Sequence, residues 1–168
     1  CEVFVSPRGI NDKSLTNNRM LTHLILLVKN KEGFANLNKL ISMSYSNDYD
    51  YKPRIDKDIL SQHSKGLIAL SACLKGEIPQ LILRGETEET EKVARFYQST
   101  FGQDNFFLEI QNHDMLIEGK INSLLFDMGK KLNIPLVATN DCRYLSKNDH
   151  KAHDVLICHQ TGDTIYNP

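Results

Sequence analysis

The sequence of 168 residues contains no tryptophan and only four cysteines, which are widely spaced and form no Cys-x-x-Cys pair. This spacing excludes a zinc ribbon and a disulfide scaffold, so we expect reduced thiols in a cytoplasmic protein. The net charge of -1 argues against nucleic-acid binding by the protein surface as a whole, although it does not exclude a local basic patch. No apolar run approaches the roughly 18 residues that span a bilayer, so no membrane partner is expected.

The chain also lacks an initiator methionine and a signal peptide, and it begins inside a predicted strand, "CEVFV". We therefore expect it to be a piece of a longer protein. Apolar residues make up 40% and charged residues 24% of the sequence, as in a globular protein rather than a disordered one. The length suffices for one domain with a core of its own.

Five apolar segments predict strands, at residues 2–5, 21–28, 66–72, 105–110 and 134–139. Segments with helical periodicity separate the last four, which indicates βα repetition and a mainly parallel sheet. Asp56 is predicted to cap a short helix that ends near Ser64. The sequence thus indicates an α/β fold.

Polar residues within or just after these strands are functional candidates, because parallel βα proteins place function at the C-terminal ends of their strands. They are Glu2, His23, Cys73, Glu109, His113, Asp141 and Arg143. Carboxylate, imidazole and thiolate groups are all ligands for zinc-like ions. Each also has an ordinary structural interpretation: His23 as a hydrogen-bonded core residue, Cys73 as a small buried hydrophobe and Asp141 as a turn cap.

Six segments carry a family resemblance: "CEVFV", "THLILLVKNKEGFANLNKLIS", "YKPRIDKDIL", "GLIALSACLKGEIPQLIL", "FFLEIQNH" and "IPLVATND", the last followed by a tyrosine and "AHDVLICHQTG". In this order they resemble the PHP (polymerase and histidinol phosphatase) domain of bacterial replicative DNA polymerase III alpha subunits. The "KPRID" and "LSACLKGEIP" stretches favour that domain over the free-standing phosphatases. The resemblance covers essentially the whole chain.

The resemblance implies a distorted seven-stranded βα barrel, of which residues 1–168 would supply about strands 3 to 7. Its rim would hold up to nine ligands and up to three metal ions such as zinc or manganese. The expected partners are the remaining domains of the alpha subunit, the proofreading exonuclease subunit and, through the parent protein, DNA. The magnesium-dependent polymerase domains would lie outside this chain, and a ligating His-x-His pair would lie upstream of Cys1.

Four positions match ligands of the family: Glu2, His23, Cys73 and Asp141. The fifth ligand would be a histidine, but Arg143 stands there, and a guanidinium stays cationic and offers a metal no lone pair. Metal binding is therefore expected to be weak or absent. We expect Arg143 to replace the lost cation by holding Asp141 or Glu2. The alternative is an arginine that faces solvent beside Tyr144.

Two functions follow from the resemblance. The first is a structural PHP module that docks the exonuclease subunit, and the second is an active metal-dependent phosphoesterase, a 3′-5′ exonuclease or pyrophosphatase that uses metal-bound hydroxide. Arg143 favours the first. Lys52 and Arg54 are candidate phosphate contacts, with loop anchoring as the alternative. His150 and His153 have ligand spacing, but a solvated helix face is the more typical interpretation.

Overall fold

The computed structural model describes residues 1–12, 14, 20–46 and 52–166. Six strands are present in this part of the chain: β1 (Glu2–Ser6), β2 (Thr22–Val28), β3 (Ile55–Asp56), β4 (Leu67–Leu70), β5 (Phe106–Ile110) and β6 (Leu136–Ala138). The helices described are α1 (Lys31–Ser46), α2 (Lys57–Gln62), α3 (Glu77–Leu83), α4 (Thr87–Phe101), α5 (Leu116–Leu132) and α6 (His150–Thr161), the last preceded by a 3₁₀ turn (Lys147–Asp149).

The predicted α/β class and all five predicted strands are confirmed, and β3 is a two-residue strand that the sequence did not reveal. Asp56 caps α2 as predicted, since its side chain accepts a hydrogen bond of 2.9 Å from the Ile59 backbone. No helix in the described part of the chain is long and apolar enough to span a bilayer.

The strands form one sheet in the order β3-β1-β2-β4-β5-β6. Three of its five pairings are parallel, namely β1 with β3, β4 with β5 and β5 with β6. Strand β2 is antiparallel to both of its neighbours, so the predicted mainly parallel sheet has one reversed strand. The reversal matters for function, because the first residues of β2 lie at the same edge of the sheet as the last residues of β4. Among the described strands, β3 and β6 are the two outer edges, as in part of a βα barrel.

The core lies between the sheet and its helices. Leu24 and Leu26 alternate along β2 as buried side chains. From α4, Tyr97 stacks on Phe106 of β5 with ring centroids 5.5 Å apart. Helix α4 therefore packs closely against the middle of the sheet.

A partly buried polar cluster joins three helices next to this core. Glu77 of α3 accepts hydrogen bonds of 2.7 Å from Lys57 of α2 and of 2.7 Å from the Tyr97 hydroxyl of α4. Burial, with the nearby charge of Glu77, holds the pKa of Tyr97 well above its ordinary value, so the phenol stays protonated and donates. Both oxygens of the Glu77 carboxylate are thereby satisfied, which lets α3 pack against α4 without an unpaired charge.

Helix α1 contacts the beginning of β4 backbone to backbone. The Asn30 side chain accepts a 2.9 Å hydrogen bond from the Gly33 N–H in the first turn of the helix. A β-carbon on Gly33 would lie 1.8 Å from the Gly66 carbonyl oxygen, and Gly66 has a φ of +72°. Only glycine fits this contact at both positions.

This contact predicts a large difference between two glycine-to-alanine substitutions in helices. Gly33→Ala should lower the free energy of unfolding by about 1–3 kcal/mol, because the clash is with backbone and α1 must move away. Gly119→Ala in α5 is the matched control, since nothing lies within 4 Å of its β-carbon position. It should be neutral or stabilise by up to about 1 kcal/mol. Urea denaturation measures both, and equal effects would contradict the proposed close contact.

Candidate functional site at the strand ends

The candidate site lies along one edge of the sheet, which we call the rim. It consists of the beginning of β2 and the segments that follow β4, β5 and β6. His23 reaches it from β2, where its backbone N–H donates a 3.0 Å hydrogen bond to the Lys75 carbonyl beyond β4. Cys73 follows β4 and Asp141 follows β6. Glu2 approaches from β1, where it pairs with Ile25.

Glu2 and His23 are in direct contact at the rim. The His23 Nδ1 atom lies 3.2 Å from Glu2 Oε2, and the imidazole is only 13% exposed. The geometry of this contact is not that of a hydrogen bond, and Nδ1 has no hydrogen-bond partner among the described residues. Burial lowers the pKa of His23, and the opposing charge of Glu2 does not outweigh it. The neutral imidazole that results is the protonation state in which histidine binds metal ions.

Asp141 is held by Arg143, two residues further along the chain. The Arg143 Nη2 atom lies 2.9 Å from Asp141 Oδ1 and 3.0 Å from Oδ2, so one nitrogen bridges both carboxylate oxygens. The two side chains are 52% and 41% exposed, respectively, and an exposed pair of this kind contributes about 0–1 kcal/mol. Arg143 thus contacts Asp141 while remaining half open to solvent. Whether it replaces a metal stays a prediction.

The charge of Arg143 also connects the separate parts of the rim. Its pKa is raised first by the hydrogen bond and charge of Asp141 and, more weakly, by the charge of Glu2, while burial lowers it. Carboxylates of β1 and of the segment after β6 therefore both act on the guanidinium.

Lys52 and Arg54 occupy different environments. The Lys52 ammonium lies 4.6 Å from the centre of the Phe4 ring, which packs edge-on against His23 with ring centroids 4.9 Å apart. Lys52 is therefore close to the rim. Arg54 is buried and donates a 3.5 Å hydrogen bond to the Asp12 carbonyl, which fits an anchor for a loop. A phosphate contact at either residue stays a prediction.

His150 and His153 make local contacts at the beginning of α6. The His150 Nδ1 atom lies 2.7 Å from the Lys147 carbonyl oxygen. The His153 ring lies against Tyr144, with centroids 5.4 Å apart. These contacts account for the two histidines without a metal ion.

Two buried glutamates lie beside the rim and form hydrogen-bond networks that the sequence did not reveal. Glu118 of α5 accepts a 2.6 Å hydrogen bond from the His113 backbone, and its Oε1 lies 2.8 Å from His113 Nδ1. The His113 Nε2 atom lies 3.3 Å from the Asn140 carbonyl oxygen. The signal for Glu118 was its place on the apolar stripe of α5, three residues before Ile121, where a carboxylate must find buried donors.

The second network surrounds Glu109 of β5. Its Oε1 accepts a 3.0 Å hydrogen bond from Gln111 and another from the Thr139 hydroxyl just after β6. Gln111 also donates to the Thr139 hydroxyl oxygen at 3.1 Å. The end of β6, which precedes Asp141, is thereby tied to β5.

Two residues at the rim have left-handed backbone conformations that L-amino acids rarely adopt. Ala72, directly before Cys73, has a φ of +64°, and Asp141 has a φ of +41°. An alanine in this region costs about 1–2 kcal/mol relative to ordinary conformations. Such backbone is retained where the surroundings fix it, often at functional sites.

The residues present do not assemble a metal centre by themselves. Within the described ranges, no group of three or more His, Cys, Asp or Glu side chains is arranged to hold a metal ion. Glu2 and His23 are in contact, whereas Asp141 is bound by Arg143. The metal site at Glu2, His23, Cys73 and Asp141 therefore stays a prediction.

The fold and the rim agree with a comparison of the sequence with known families. The profile of the PHP domain matches residues 1–113, and the chain belongs to the PHP family. The matched region contains Glu2, His23 and Cys73 and ends before β6, so it does not include Asp141 and Arg143.

Curated relatives extend the similarity over the whole chain. The chain is 45% identical to DNA polymerase III subunit alpha of Treponema pallidum, over 100% of its own length and 14% of that protein's. It is 41% identical to the subunit of Chlamydia trachomatis, over 98% of the chain and 15% of the relative. It is 38% identical to the subunit of Deinococcus radiodurans, over 98% of the chain and 12% of the relative. The chain thus spans about one-seventh of the length of these relatives.

The His113–Glu118 pair predicts a pH-dependent contribution to stability. The hydrogen bond to Glu118, followed by that to the Asn140 carbonyl, raises the pKa of His113 above its ordinary 6.5. Burial acts to raise the pKa of Glu118, but the hydrogen bonds and charge of His113 outweigh it and lower the pKa below 4.5. The His113 contribution is complete below pH 6.5 and is lost as the pH rises through the raised pKa. The Glu118 contribution is complete above pH 4.5 and is lost as the pH falls through the lowered pKa.

NMR titration of the histidine ring protons checks this pair. Glu118→Gln should lower the pKa of His113, because the negative charge is removed and only a neutral, weaker amide acceptor remains. Glu89→Gln is the control, since Glu89 pairs with Lys92 on the exposed face of α4. An unchanged His113 pKa in Glu118→Gln would show that the contact does not persist in solution.

The backbone of Ala72 predicts an unusual tolerance of glycine. Ala72→Gly relieves about 1–2 kcal/mol of backbone strain. It also loses a buried methyl group worth about 0.8 kcal/mol and adds about 0.5–1 kcal/mol of chain entropy. The net effect should be close to zero. Ala69→Gly, on the regular strand β4 and equally buried, should cost about 1–2 kcal/mol because no strain is relieved. Equal losses in urea denaturation would contradict the left-handed conformation of Ala72.

Proposed function

We propose that this chain is the PHP module of a cytoplasmic bacterial DNA polymerase III alpha subunit, in which it acts as a structural and docking module. The similarity to three such subunits over at least 98% of the chain supports this assignment. DNA-directed DNA polymerisation, with its magnesium ions, then belongs to domains outside these residues. The module's partners are those domains and the proofreading exonuclease subunit, and it meets DNA through the parent protein.

The observation that carries the structural role is the contact between Arg143 and Asp141. Both oxygens of Asp141, the atoms through which a carboxylate would bind a metal ion, are within 3.0 Å of a guanidinium nitrogen. A permanent cation at this position repels a divalent ion and offers it no lone pair. Metal-dependent chemistry at this rim would require Arg143 to leave Asp141.

The surface of α6 supports the docking role. Val155, Leu156 and Ile157 are consecutive exposed apolar residues on this helix. Among the described elements, α6 contacts mainly the preceding 3₁₀ turn. Exposed apolar side chains on a helix that contacts little else favour a protein–protein contact. We assign this surface to the remaining domains of the alpha subunit, because they are part of the same polypeptide and are always present.

A second function, a metal-dependent phosphoesterase with 3′-5′ exonuclease or pyrophosphatase activity, is favoured by one observation. The His23 imidazole is 13% exposed, and its buried Nδ1 atom, beside a carboxylate oxygen of Glu2, has no hydrogen-bond partner among the described residues. The His23 imidazole and the Glu2 carboxylate, two of the four predicted ligands, are thus of the types that bind zinc. Lys52 lies near the same imidazole and would be the candidate contact for a substrate phosphate.

Metal content of the full-length polymerase subunit discriminates between the two functions. After removal of metal with a chelator and dialysis against zinc or manganese, the wild-type subunit should retain little metal at this module. Arg143→His restores a neutral ligand and should raise the bound metal towards stoichiometry, provided that the upstream ligands are present. Arg84→His is the control, because Arg84 is an exposed arginine paired with Glu86 in another part of the fold.

A wild-type subunit that binds metal stoichiometrically and hydrolyses DNA 3′ ends or pyrophosphate would overturn the structural role in favour of the second function. The free energy of unfolding of Arg143→Ala is a further check on the strength of the contact with Asp141. The substitution should lower it by no more than about 1 kcal/mol, because the pair is half exposed.

A further inference from the structure

Glu109 is a buried carboxylate that connects the ends of three neighbouring strands. Its backbone N–H donates a 2.8 Å hydrogen bond to the Ser71 hydroxyl, just beyond β4. Its side-chain Oε1 accepts hydrogen bonds from Thr139, just beyond β6, and from Gln111. Ser71 lies two residues before Cys73, and Thr139 lies two residues before Asp141. A single residue of β5 therefore contacts both segments that lead into candidate ligands.

The other oxygen of Glu109 has a different environment. Glu109 is 5% exposed, and among the described residues no donor reaches Oε2. Glu109 lines a cavity in which the space open to the centre of a water molecule is about 10 Å³. Cys73, Gln111, Glu118 and Asn122 also border it. This is close to the smallest space that holds one water molecule, and the walls supply the polar groups that such a water needs.

A buried carboxylate with one unsatisfied oxygen is destabilising, so an apolar residue of similar size would serve the core better. The carboxylate of Glu109 instead bonds to Thr139 in the segment that carries Asp141, while its backbone N–H bonds to Ser71 in the segment that carries Cys73. Each segment also contains a residue with a left-handed backbone conformation, Ala72 in the first and Asp141 in the second. Such conformations need surrounding contacts that hold them.

We infer that Glu109 is the positioning residue of the rim. Its Oε1 fixes Thr139 and thereby the turn at Asp141, and its Oε2 accepts a hydrogen bond from one water molecule in the cavity beside Cys73. This inference concerns only the placement of the rim side chains, so it holds for the structural module and for the phosphoesterase alike.

Amide hydrogen exchange of the full-length subunit, resolved by peptide, tests the first half. Thr139→Val removes one hydroxyl from the network, and Glu109→Leu removes the whole carboxylate. In both variants, exchange at residues 139–143 should accelerate about tenfold, as expected when local opening loses one hydrogen bond. Glu109→Gln keeps an oxygen acceptor for Thr139 and should restore exchange close to the wild-type rate. Thr90→Val is the matched control, because this buried threonine bonds only within α4, to the Glu86 carbonyl.

The outcomes separate positioning from a purely structural role. If Glu109 is purely structural, Glu109→Leu should change the amide exchange rates throughout the sheet or leave all of them unchanged. Glu109→Gln should then give the same exchange rates as Glu109→Leu. Either result overturns the inference. If Glu109→Leu does not fold, Thr139→Val decides alone, since unchanged exchange at residues 139–143 also overturns it.

A high-resolution crystal structure of the wild-type subunit tests the second half. One ordered water within hydrogen-bond distance of Glu109 Oε2, in the cavity beside Cys73, is the expected result. A protein donor on Oε2, or a cavity without density for a water, contradicts this part of the inference. The exchange experiment does not depend on metal binding, so its failure is distinguishable from failure of the proposed function.

Discussion

Buried carboxylates must be surrounded by donors, and this constraint organises much of the structure around the core. Glu77 accepts hydrogen bonds from Lys57 and Tyr97 and thereby fixes three helices relative to one another. Glu118 contacts the backbone and the ring of His113 and connects the segment after β5 to α5. Each group would be costly if its partners were removed, because desolvated charge has no other compensation. The polar contacts therefore define where the elements lie as strictly as the apolar core does.

The reversed direction of β2 is the second organising feature. In a wholly parallel sheet, His23 at the beginning of its strand would lie at the edge opposite the residues that follow β4 and β6. Because β2 is antiparallel to β1 and β4, His23 reaches the rim and its backbone pairs with the segment after Cys73. The histidine thus joins residues from strand C-terminal ends at one edge, although it starts a strand itself.

The strands, the helices and the cap at Asp56 were predictable because they depend on local periodicity and capping chemistry. The reversal of β2 was not, since an almost wholly apolar strand has the same pattern in either direction. Glu118 and Thr139 were missed because their partners lie in other segments, and single-residue patterns do not report such contacts. The candidate list at the strand ends followed from the βα architecture, and a contact of Arg143 with Asp141 or Glu2 was predicted as one of two alternatives. Which of the two carboxylates it holds was not predictable, because a local sequence pattern does not give side-chain directions.

In the proposed structural role, the two carboxylates of the rim each have a partner other than a metal ion. Two carboxylates on one rim repel each other unless a cation lies between them or each has a partner of its own. Here Glu2 lies against His23, while Asp141 is bridged by Arg143. The pKa of Arg143 is raised first by Asp141 and only weakly by Glu2, so the guanidinium mainly compensates Asp141. An arginine supplied from the end of β6 is permanent and needs no upstream ligands, whereas a metal ion depends on all of them. In the proposed structural role, we therefore expect the shape of the rim to be independent of metal, with the remaining ligand types serving as hydrogen-bonding and packing residues.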